Sequence, residues 1–528
     1  MGNENLMKKT NQLKLGVTLS YFTTAINFLI HLLYTPVMIR LLGQSEYGLY
    51  TLVSSVIGYL SLFSLGFSGA YLRFYSRRKD NEEEVAKLNG LYLIVFLVMA
   101  LACFICGMFL ADNSAWVFGD KLDEREIERA TVLMRILVIN IALAFPNSVF
   151  DSIITAHERF LFQRLLNLAC LIFNPLIAMP LLLIGYKSVA IVVVTTLLTV
   201  FKLGFNLFFC FVKLGIKFNF RKFDISVFKE MGVFSFFIFL NMIIDQANWS
   251  VDKFILGRVS GTQSVAIYGV GASLFAVYVE FSGMISNVFA PRVNMIAARN
   301  SSDINSDFTN LMIKVGRIQF CVLSLVLSGF IFFGKYFIVN IYSTPEYEDA
   351  YYVALLLMVP SIILGIQSIG IEIQRAINKH QFRSVVYLFM AIVNVIISIP
   401  LARAYGPIGS AFGTSLSLFI ANGLIMNIYY YKGVGINIFQ FWKKIFDVLK
   451  GTIIPIVFGT LIHININVNN VNVLSYGFLI FIYTIVFVTS IYFIGLDEYE
   501  KQYIQHPISA IYIKFYRWCK NGSSKRKS

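Results

Sequence analysis

The residues best able to do chemistry in this chain are charged side chains that interrupt long apolar segments. Asp245 and Asp252 lie in one such segment, Lys202 lies in another, and Asp151 and Glu280 lie in two more. A charge at the centre of a bilayer costs about 2.5–3.5 kcal/mol on insertion scales, so such groups normally face a bundle interior or a water-filled cavity. The residue types predict cation binding by the carboxylates and phosphate binding by the lysine.

Asp245 is the main candidate for coupling to a proton or a sodium ion. It lies deep in its segment and has no charged residue three or four positions away, while Asn241 and Asn248 offer further oxygen ligands. An unpaired carboxylate at this depth is costly, which favours a functional role. The alternative is that these polar groups only make hydrogen bonds between helices.

The other three carboxylates are weaker ion-coupling candidates. Asp252 is expected near the outer interface, where pairing with Lys253 or Arg258 would make it structural. Asp151 could simply neutralise a lysine on a neighbouring helix. Glu280 shares its helical face with small residues, a composition typical of close helix packing, namely Gly269, Ser273, Ala276, Gly283 and Asn287.

Lys202 is the predicted phosphate-binding cation. It lies about ten residues from either end of its segment, further than a lysine stem spans well, and shares a face with Thr195, Thr199 and Asn206. Its own segment holds no acidic residue, although Asp151 could neutralise it. An inward cation of this kind would contact a phosphate or pyrophosphate and would disfavour a cationic drug as substrate.

Polar residues at matching offsets occur in two segments 218 residues apart. The first set is Thr23, Asn27, His31, Tyr34 and Arg40, and the second is Asn241, Asp245, Trp249, Asp252 and Arg258. Spacings of three and four place each set on one helical face, and a duplicated polar face is typical of a carrier with its substrate path between two halves. The residues predicted to line that cavity are Lys202, His31, Asn27, Arg40, Trp249, Arg258, Asn241 and Asn248. For His31 a packing hydrogen bond, and for Arg40 a side chain reaching the interface, remain open alternatives.

The composition identifies the elements that must position these residues. Hydrophobic residues make up 57% and charged residues 14% of the 528 residues, against roughly a quarter charged in soluble domains. Fourteen apolar segments approach the 20 or so residues that span a bilayer. We predict an all-α polytopic membrane protein with about 14 transmembrane helices: two parallel six-helix lobes (1–225 and 226–432) around a central cavity, two further spans (433–496) and a basic amphipathic tail (497–528).

The distribution of charge predicts topology and excludes several functions. Most Lys and Arg fall on one side of the predicted spans, so the positive-inside rule places both termini in the cytoplasm. The net charge of +15 then indicates attraction to anionic lipid rather than nucleic-acid binding. Cys103 and Cys106 have no His or acidic partners nearby, and nucleotide-binding and hydrolase motifs are absent from the sequence. We therefore expect no metal, no cofactor and no enzymatic activity.

Three motifs resemble the bacterial polysaccharide transporter and O-antigen flippase family. They are Tyr34–Tyr50 (YTPVMIRLLGQSEYGLY), Gly66–Arg73 (GFSGAYLR) and Val251–Gly257 (VDKFILG). The family is part of the multidrug/oligosaccharidyl-lipid/polysaccharide exporter superfamily. The resemblance implies a carrier in the bacterial inner membrane that flips polyprenyl-pyrophosphate-linked oligosaccharides to the outer leaflet by alternating access, for cell-surface polysaccharide biosynthesis.

Two other functions remain open at this stage. One is a multidrug or cation antiporter of the same superfamily, against which an unneutralised Lys202 argues. The other is a membrane glycosyl polymerase or ligase, an enzyme acting on the same carrier lipid. Such enzymes usually carry catalytic groups on a sizeable outer loop, whereas the longest outer loop expected here, 112–130, has an ordinary length.

Overall fold

The computed structural model describes residues 2–220, 225–299, 303–466, 471–498 and 500–501. Within these ranges it describes every side chain except those of residues 2–21, 68–70, 225–228, 233, 234, 237, 240, 241, 245, 247 and 248. The described part is helical and contains no strand. Its α-helices are α1 (Gly2–Leu42), α2 (Gln44–Leu60), α3 (Phe67–Arg78), α4 (Glu82–Asp112), α5 (Ser114–Phe118), α6 (Glu124–Ala156), α7 (Phe160–Ile184), α8 (Lys187–Phe208), α9 (Ile225–Ala297), α10 (Ile304–Tyr336), α11 (Asp349–Ile366), α12 (Ser368–Ala376), α13 (Gln381–Leu418), α14 (Met426–Tyr429), α15 (Ile438–Leu449), α16 (Ile453–Asn465) and α17 (Val473–Ser490).

The described residues contain 12 continuous helical segments that are long and apolar enough to cross a membrane. Two of them, Met242–Ala297 and Gln381–Val434, have 56 and 54 residues, so each would extend roughly 80 Å at 1.5 Å per residue against a hydrocarbon core of about 30 Å. Each is interrupted by a glycine with non-helical dihedral angles, Gly261 and Gly406. Each therefore holds two helices, in agreement with the fourteen spans predicted. The expected fold class, an all-α polytopic membrane protein, is confirmed.

The predicted repeat is visible in the turns that follow its two polar segments. Gly43 joins α1 to α2 with φ 76° and ψ 171°, and Gly261, 218 positions later, divides α9 with φ 82° and ψ 179°. This region of dihedral space is essentially open only to glycine. The two polar segments are thus followed, at the same offset, by a glycine in the same backbone conformation.

A very close helix contact joins the first turns beyond these two glycines. A Cβ atom added at Gly48 would lie 1.9 Å from the carbonyl oxygen of Thr262, so only glycine permits this approach. Beside the contact, the Glu126 carboxylate accepts hydrogen bonds from the hydroxyls of Ser45 and Thr262. Three predicted spans therefore meet at one point near their ends.

The chain packs as two compact units. The first comprises Met1–Val277, Phe337–Leu357 and Gln381–Ala421, and the second comprises Tyr278–Tyr336, Met358–His380 and Asn422–Ser528. Within the first unit, buried Glu46 accepts hydrogen bonds from Arg129 and Ser188. The predicted lobes, 1–225 and 226–432, stay a prediction.

The second unit is organised around a buried arginine of α10. Arg317 is 2% exposed and makes two hydrogen bonds of 2.7 and 2.6 Å to the Glu500 carboxylate. Its remaining donors reach the carbonyl oxygens of Lys444 and Gly495 at 2.9 and 3.1 Å. The Arg317 guanidinium thus connects α10 to α15 and to the residues after α17. Its bidentate contact with Glu500 is of the strong, charge-assisted kind. Most of the predicted amphipathic tail, residues 502–528, lies outside the described part.

Candidate functional site

An ion pair lies inside the apolar helices of the first unit. The Lys202 ammonium on α8 is 2.9 Å from an Asp151 carboxylate oxygen on α6, and each side chain is 22% exposed. Lys202 lies 15 residues from the start of the Lys187–Lys213 span and 11 from its end, which is roughly 16–22 Å along the helix. Lys202 is therefore far from both ends of its own span, half-buried and paired, while its partner Asp151 lies five residues before the end of α6 at Ala156.

Amide side chains hold the carboxylate of this pair. Asn206 donates to Asn147 Oδ1 at 2.8 Å and to Asp151 Oδ1 at 2.9 Å. Gln163 on α7 donates to the Asp151 backbone oxygen at 3.1 Å and to its Oδ1 at 3.3 Å. The Asp151 carboxylate thus accepts hydrogen bonds from several donors. The Lys202 ammonium has Asp151 as its ion-pair partner among the described residues.

Two further amide–hydroxyl pairs continue this polar surface along α8. Asn140 on α6 donates to Thr199 at 2.8 Å, and Asn174 on α7 donates to Thr195 at 3.1 Å. We call these residues, with the ion pair and its amides, the α6–α8 polar cluster. It presents amide, hydroxyl and charged groups at membrane depth, which normally occurs where helices enclose water or a polar substrate.

The pairing corrects the prediction of an unneutralised lysine. Asp151, which the sequence offered as one possible partner, neutralises Lys202. A sequence pattern within one span could not show this, because the carboxylate comes from a different helix. The argument that a free cation excludes cationic substrates therefore no longer holds.

A second polar site surrounds Asp252, also in the first unit. Its side chain is buried, with the residue 1% exposed, and it accepts hydrogen bonds from three hydroxyls. Tyr268 donates at 2.8 Å, Ser410 at 2.8 Å and Thr414 at 2.6 Å. The predicted pairing with Lys253 or Arg258 is wrong, since the hydrogen bonds to this carboxylate come from hydroxyls on α9 and α13.

The Asp252 site extends to an amide and a small cavity. The Thr414 hydroxyl, which donates to Asp252, also lies 3.2 Å from Asn394 Oδ1, and Ser398 donates to that amide oxygen at 2.9 Å. A cavity of about 10 Å³ is lined by Asn394 and Thr414 but not by Asp252, and it has space for about one water molecule. Carboxylate, hydroxyl and amide oxygens are the ligands that hard cations prefer, and a buried carboxylate can also carry a proton. The predicted role of Asp252 in ion coupling stays a prediction.

Arg40 was predicted to line the cavity, but its side chain donates hydrogen bonds to backbone carbonyl oxygens. Its guanidinium donates to the carbonyl oxygens of Asn340 at 2.9 Å, Ile341 at 2.7 Å and Ser343 at 3.1 Å. These carbonyls end the π-helical turn Phe337–Tyr342, where backbone acceptors would otherwise be unpaired. The contacts favour a structural role.

The remaining predicted cavity residues have mixed surroundings. Arg258 is exposed, and Trp249 is 46% exposed and stacks on Phe275 with ring centroids 5.6 Å apart. Asn27 and His31 are half-buried on α1. These positions do not join the α6–α8 polar cluster through any described contact. Their assignment to the cavity stays a prediction.

The last candidates lie on α9. The side chains of Asn241, Asp245 and Asn248 are outside the described residues, so the coupling role of Asp245 stays a prediction. Glu280, Gly283 and Asn287 are exposed, and no atom lies within 4 Å of a Cβ added at Gly283. The expected close packing of this face holds at buried Gly269, where an added Cβ would lie 3.1 Å from the Thr51 side chain, but it does not extend to Gly283. The Glu280 carboxylate is therefore left accessible.

Several residues of the two sites were not identified from the sequence. Around Asp252 these are Tyr268, Asn394, Ser398, Ser410 and Thr414, and in the polar cluster they are Gln163 and Asn174. One signal was present, because Tyr34 and Tyr50 occupy the repeat positions of Asp252 and Tyr268. Only the tyrosine at positions 50 and 268 is common to both repeats, so this signal marks Tyr268 but not its contact with Asp252.

Comparison with known proteins identifies a family and several relatives. The sequence model of a family described as "Polysaccharide biosynthesis protein" matches residues 14–297. A curated protein of Shigella flexneri named "Putative O-antigen transporter" is 20% identical over 397 residues, which cover 74% of this chain and 91% of that protein.

Solved structures share the fold. A lipid II flippase MurJ in an inward closed conformation has a TM-score of 0.70 at 18% identity, covering 90% of this chain and 97% of that chain. An inward-facing multidrug resistance MATE family transporter of the MOP superfamily has a TM-score of 0.60 at 15% identity, covering 78% and 95%. The family resemblance inferred from the three sequence motifs is thus confirmed. Since the family match covers more than half of its residues, this chain belongs to the polysaccharide biosynthesis protein family.

Proposed function

We propose that this protein is a flippase that moves polyprenyl-pyrophosphate-linked oligosaccharides from the inner to the outer leaflet of a bacterial cytoplasmic membrane by alternating access. The observation that carries the proposal is the α6–α8 polar cluster, a partly exposed Lys202–Asp151 pair surrounded by amides at membrane depth. The family and the named relatives support transport of this class of substrate.

The chemistry of the cluster matches such a headgroup. Amide and hydroxyl groups exchange hydrogen bonds with sugar hydroxyls as readily as with each other. A phosphate oxygen can replace the Asp151 carboxylate as partner of the Lys202 ammonium, because both form charge-assisted hydrogen bonds. When no substrate is bound, Asp151 neutralises the Lys202 ammonium, so the empty carrier does not hold an unpaired charge within the membrane.

The Asp252 site is the proposed point of ion coupling. It combines a buried carboxylate with three hydroxyl donors, and no cationic side chain among the described residues donates a hydrogen bond to it. A proton or a sodium ion bound there would change the charge and the hydrogen bonding between α9 and α13. Because α13 and α9 contribute to one site, occupancy of that site can bias the relative arrangement of these helices.

The proposed topology places both termini in the cytoplasm, with residues 112–130 outside. Support comes from the positive-inside rule applied to the predicted loops. The substrate headgroup would cross within the polar path while the polyprenyl tail remains in lipid, since the tail alone is compatible with hydrocarbon. No catalytic step is proposed for the protein.

A multidrug or cation antiporter is a second candidate, and two observations favour it. Neutralisation of Lys202 by Asp151 removes a positive charge that would repel cationic drugs. The exposed carboxylate of Glu280 could attract them. The rival polymerase or ligase activity gains no comparable support from the described side chains.

Depletion of the protein in its native cells tests the three functions together. The flippase proposal predicts that the complete lipid-linked oligosaccharide accumulates on the inner leaflet, where an external probe cannot reach it. Loss of a polymerase or ligase would instead leave the unpolymerised oligosaccharide accessible from outside. Normal surface polysaccharide with increased sensitivity to cationic drugs would favour the antiporter and contradict the flippase.

A further inference from the structure

The short helix α15 has two sharply different faces. Ile438, Phe441, Ile445 and Val448 are 6%, 0%, 2% and 0% exposed, and their spacing of three and four places them on one side. Phe441 packs against α10, where a Cβ added at Gly316 would lie 2.6 Å from its ring. This side of α15 is thus fixed to its own unit.

The opposite side alternates aromatic rings and lysines. Phe439, Lys443, Phe446 and Lys450 follow one another at intervals of four, three and four residues, so they form a single row along the helix. Phe439 and Phe446 are 73% and 56% exposed. Lys443 is exposed and has no ion-pair partner among the described residues, and Lys450 pairs with Asp447 at 2.8 Å.

The end of the preceding span extends this row. Tyr431 is 51% exposed and meets Phe439 edge to face, with ring centroids 5.4 Å apart. Lys432 beside it is exposed. We call Tyr431, Lys432, Phe439, Lys443, Phe446 and Lys450 the aromatic–lysine stripe.

The stripe lies at the boundary of the membrane rather than inside it. The apolar segment Ile438–Asn465 has 28 residues, about eight more than a membrane crossing needs. All of its Lys and Asp residues fall in its first 13 positions, Lys443, Lys444, Asp447 and Lys450. The Lys450–Thr452 turn then separates α15 from the uncharged helix α16.

We infer that the aromatic–lysine stripe is a binding surface for anionic phospholipid headgroups. The rings insert at the level where acyl chains meet headgroups, and the lysine ammonium groups between them contact lipid phosphates, as in helices that lie in a membrane interface. Charge complementarity favours this occupant over a protein partner, because Lys432 and Lys443 have no ion-pair partner among the described residues and the one carboxylate beside the stripe, Asp447, is paired with Lys450. The inference does not depend on the proposed function, since any transporter could be positioned in this way.

Native mass spectrometry of the purified full-length protein in detergent tests the inference directly. Phosphatidylglycerol and phosphatidylcholine with identical acyl chains are titrated against the wild type and a triple variant, Lys432→Gln, Lys443→Gln and Lys450→Gln. We expect the wild type to bind phosphatidylglycerol more tightly than phosphatidylcholine. The triple variant should lose at least fivefold in phosphatidylglycerol affinity, the factor that one lysine near an anionic surface contributes, and keep its phosphatidylcholine affinity.

Two matched variants distinguish lipid binding at the aromatic–lysine stripe from a general effect of positive charge on the protein. Lys121→Gln, Lys213→Gln and Lys217→Gln together remove three exposed lysines elsewhere and should leave phosphatidylglycerol binding within twofold of the wild type. Arginine at the three stripe positions should retain the binding. Equal melting temperatures check that all variants are folded, since these exposed side chains contribute little to packing.

Two results would overturn the inference. One is phosphatidylglycerol binding that is unchanged in the stripe variant or equally reduced in the control variant. The other is a stripe variant that keeps phosphatidylglycerol but loses a protein that purifies with the wild type. In the second case the stripe docks a protein and is not a lipid surface.

Discussion

The Lys202–Asp151 pair makes an asymmetric prediction about single substitutions. Replacing Asp151 with Asn leaves the ammonium of Lys202 without its ion-pair partner at membrane depth. Replacing Lys202 with Met leaves a carboxylate that still accepts hydrogen bonds from Asn206 and Gln163. The first change should therefore destabilise the protein more than the second.

The magnitude follows from the geometry. Two unit charges 2.9 Å apart attract by about 6 kcal/mol at an effective dielectric constant of about 20, and desolvation of both groups offsets most of this. Polar contacts between membrane helices are worth about 0.6 kcal/mol on average and up to about 1.7 kcal/mol. An unpaired charge costs about 2.5–3.5 kcal/mol, reduced here by partial exposure. We expect losses of about 2 kcal/mol for Asp151→Asn and less than about 1 kcal/mol for Lys202→Met.

Thermal unfolding of the purified variants, followed by a transport assay, measures both effects. The double variant Asp151→Asn, Lys202→Met should recover most of the lost stability, because no charge remains unpaired. If Lys202 contacts a substrate phosphate, this stable double variant should still lose most transport, and Lys202→Arg should retain some. Greater destabilisation by Lys202→Met than by Asp151→Asn would refute the structural argument, and normal transport by the double variant would refute the role in substrate binding.

Three further predictions concern coupling, pH and topology. Asp252→Asn preserves size while removing charge, so flipping in vesicles should no longer respond to an imposed proton or sodium gradient; an unchanged response would exclude this residue as the coupling site. Burial alone would raise the pKa of Glu500, but hydrogen bonds from Arg317 lower this pKa below its ordinary value. The wild type should therefore melt at a higher temperature than Glu500→Gln at neutral pH, and this difference should disappear as the pH falls below about 4. A difference in melting temperature that does not depend on pH would contradict this prediction. In a background without native cysteines, a cysteine at exposed Ala115 should react with an impermeant maleimide on intact cells and one at exposed Asp80 should not; the opposite pattern would invert the topology.

The spans and the family could be predicted from the sequence because their signals are local. Each span is a continuous apolar run, and its length is set by the bilayer. The motif containing Gly43 likewise needs only neighbouring residues, since its backbone conformation is nearly exclusive to glycine. These features do not depend on which helices become neighbours.

The partners of the buried charges could not be predicted in the same way. Ser410 and Thr414, which donate to Asp252, are 158 and 162 positions away, and no periodicity within one helix identifies them. Lys253 was a misleading candidate because adjacent residues point to different sides of a helix. The small-residue face packs closely at Gly269 but is open at Gly283, because composition does not tell how far along a helix its neighbour extends.

Flipping by the purified protein tests the central claim most directly. The wild type is reconstituted into vesicles that carry a fluorescent polyprenyl-pyrophosphate-linked oligosaccharide in both leaflets, and an impermeant reagent quenches the label on the outer surface. The flippase account predicts that quenching continues beyond the outer-leaflet fraction at a rate that requires the protein and falls in the Asp151→Asn, Lys202→Met variant. Quenching that stops at the outer-leaflet fraction, as in protein-free vesicles, would contradict the account.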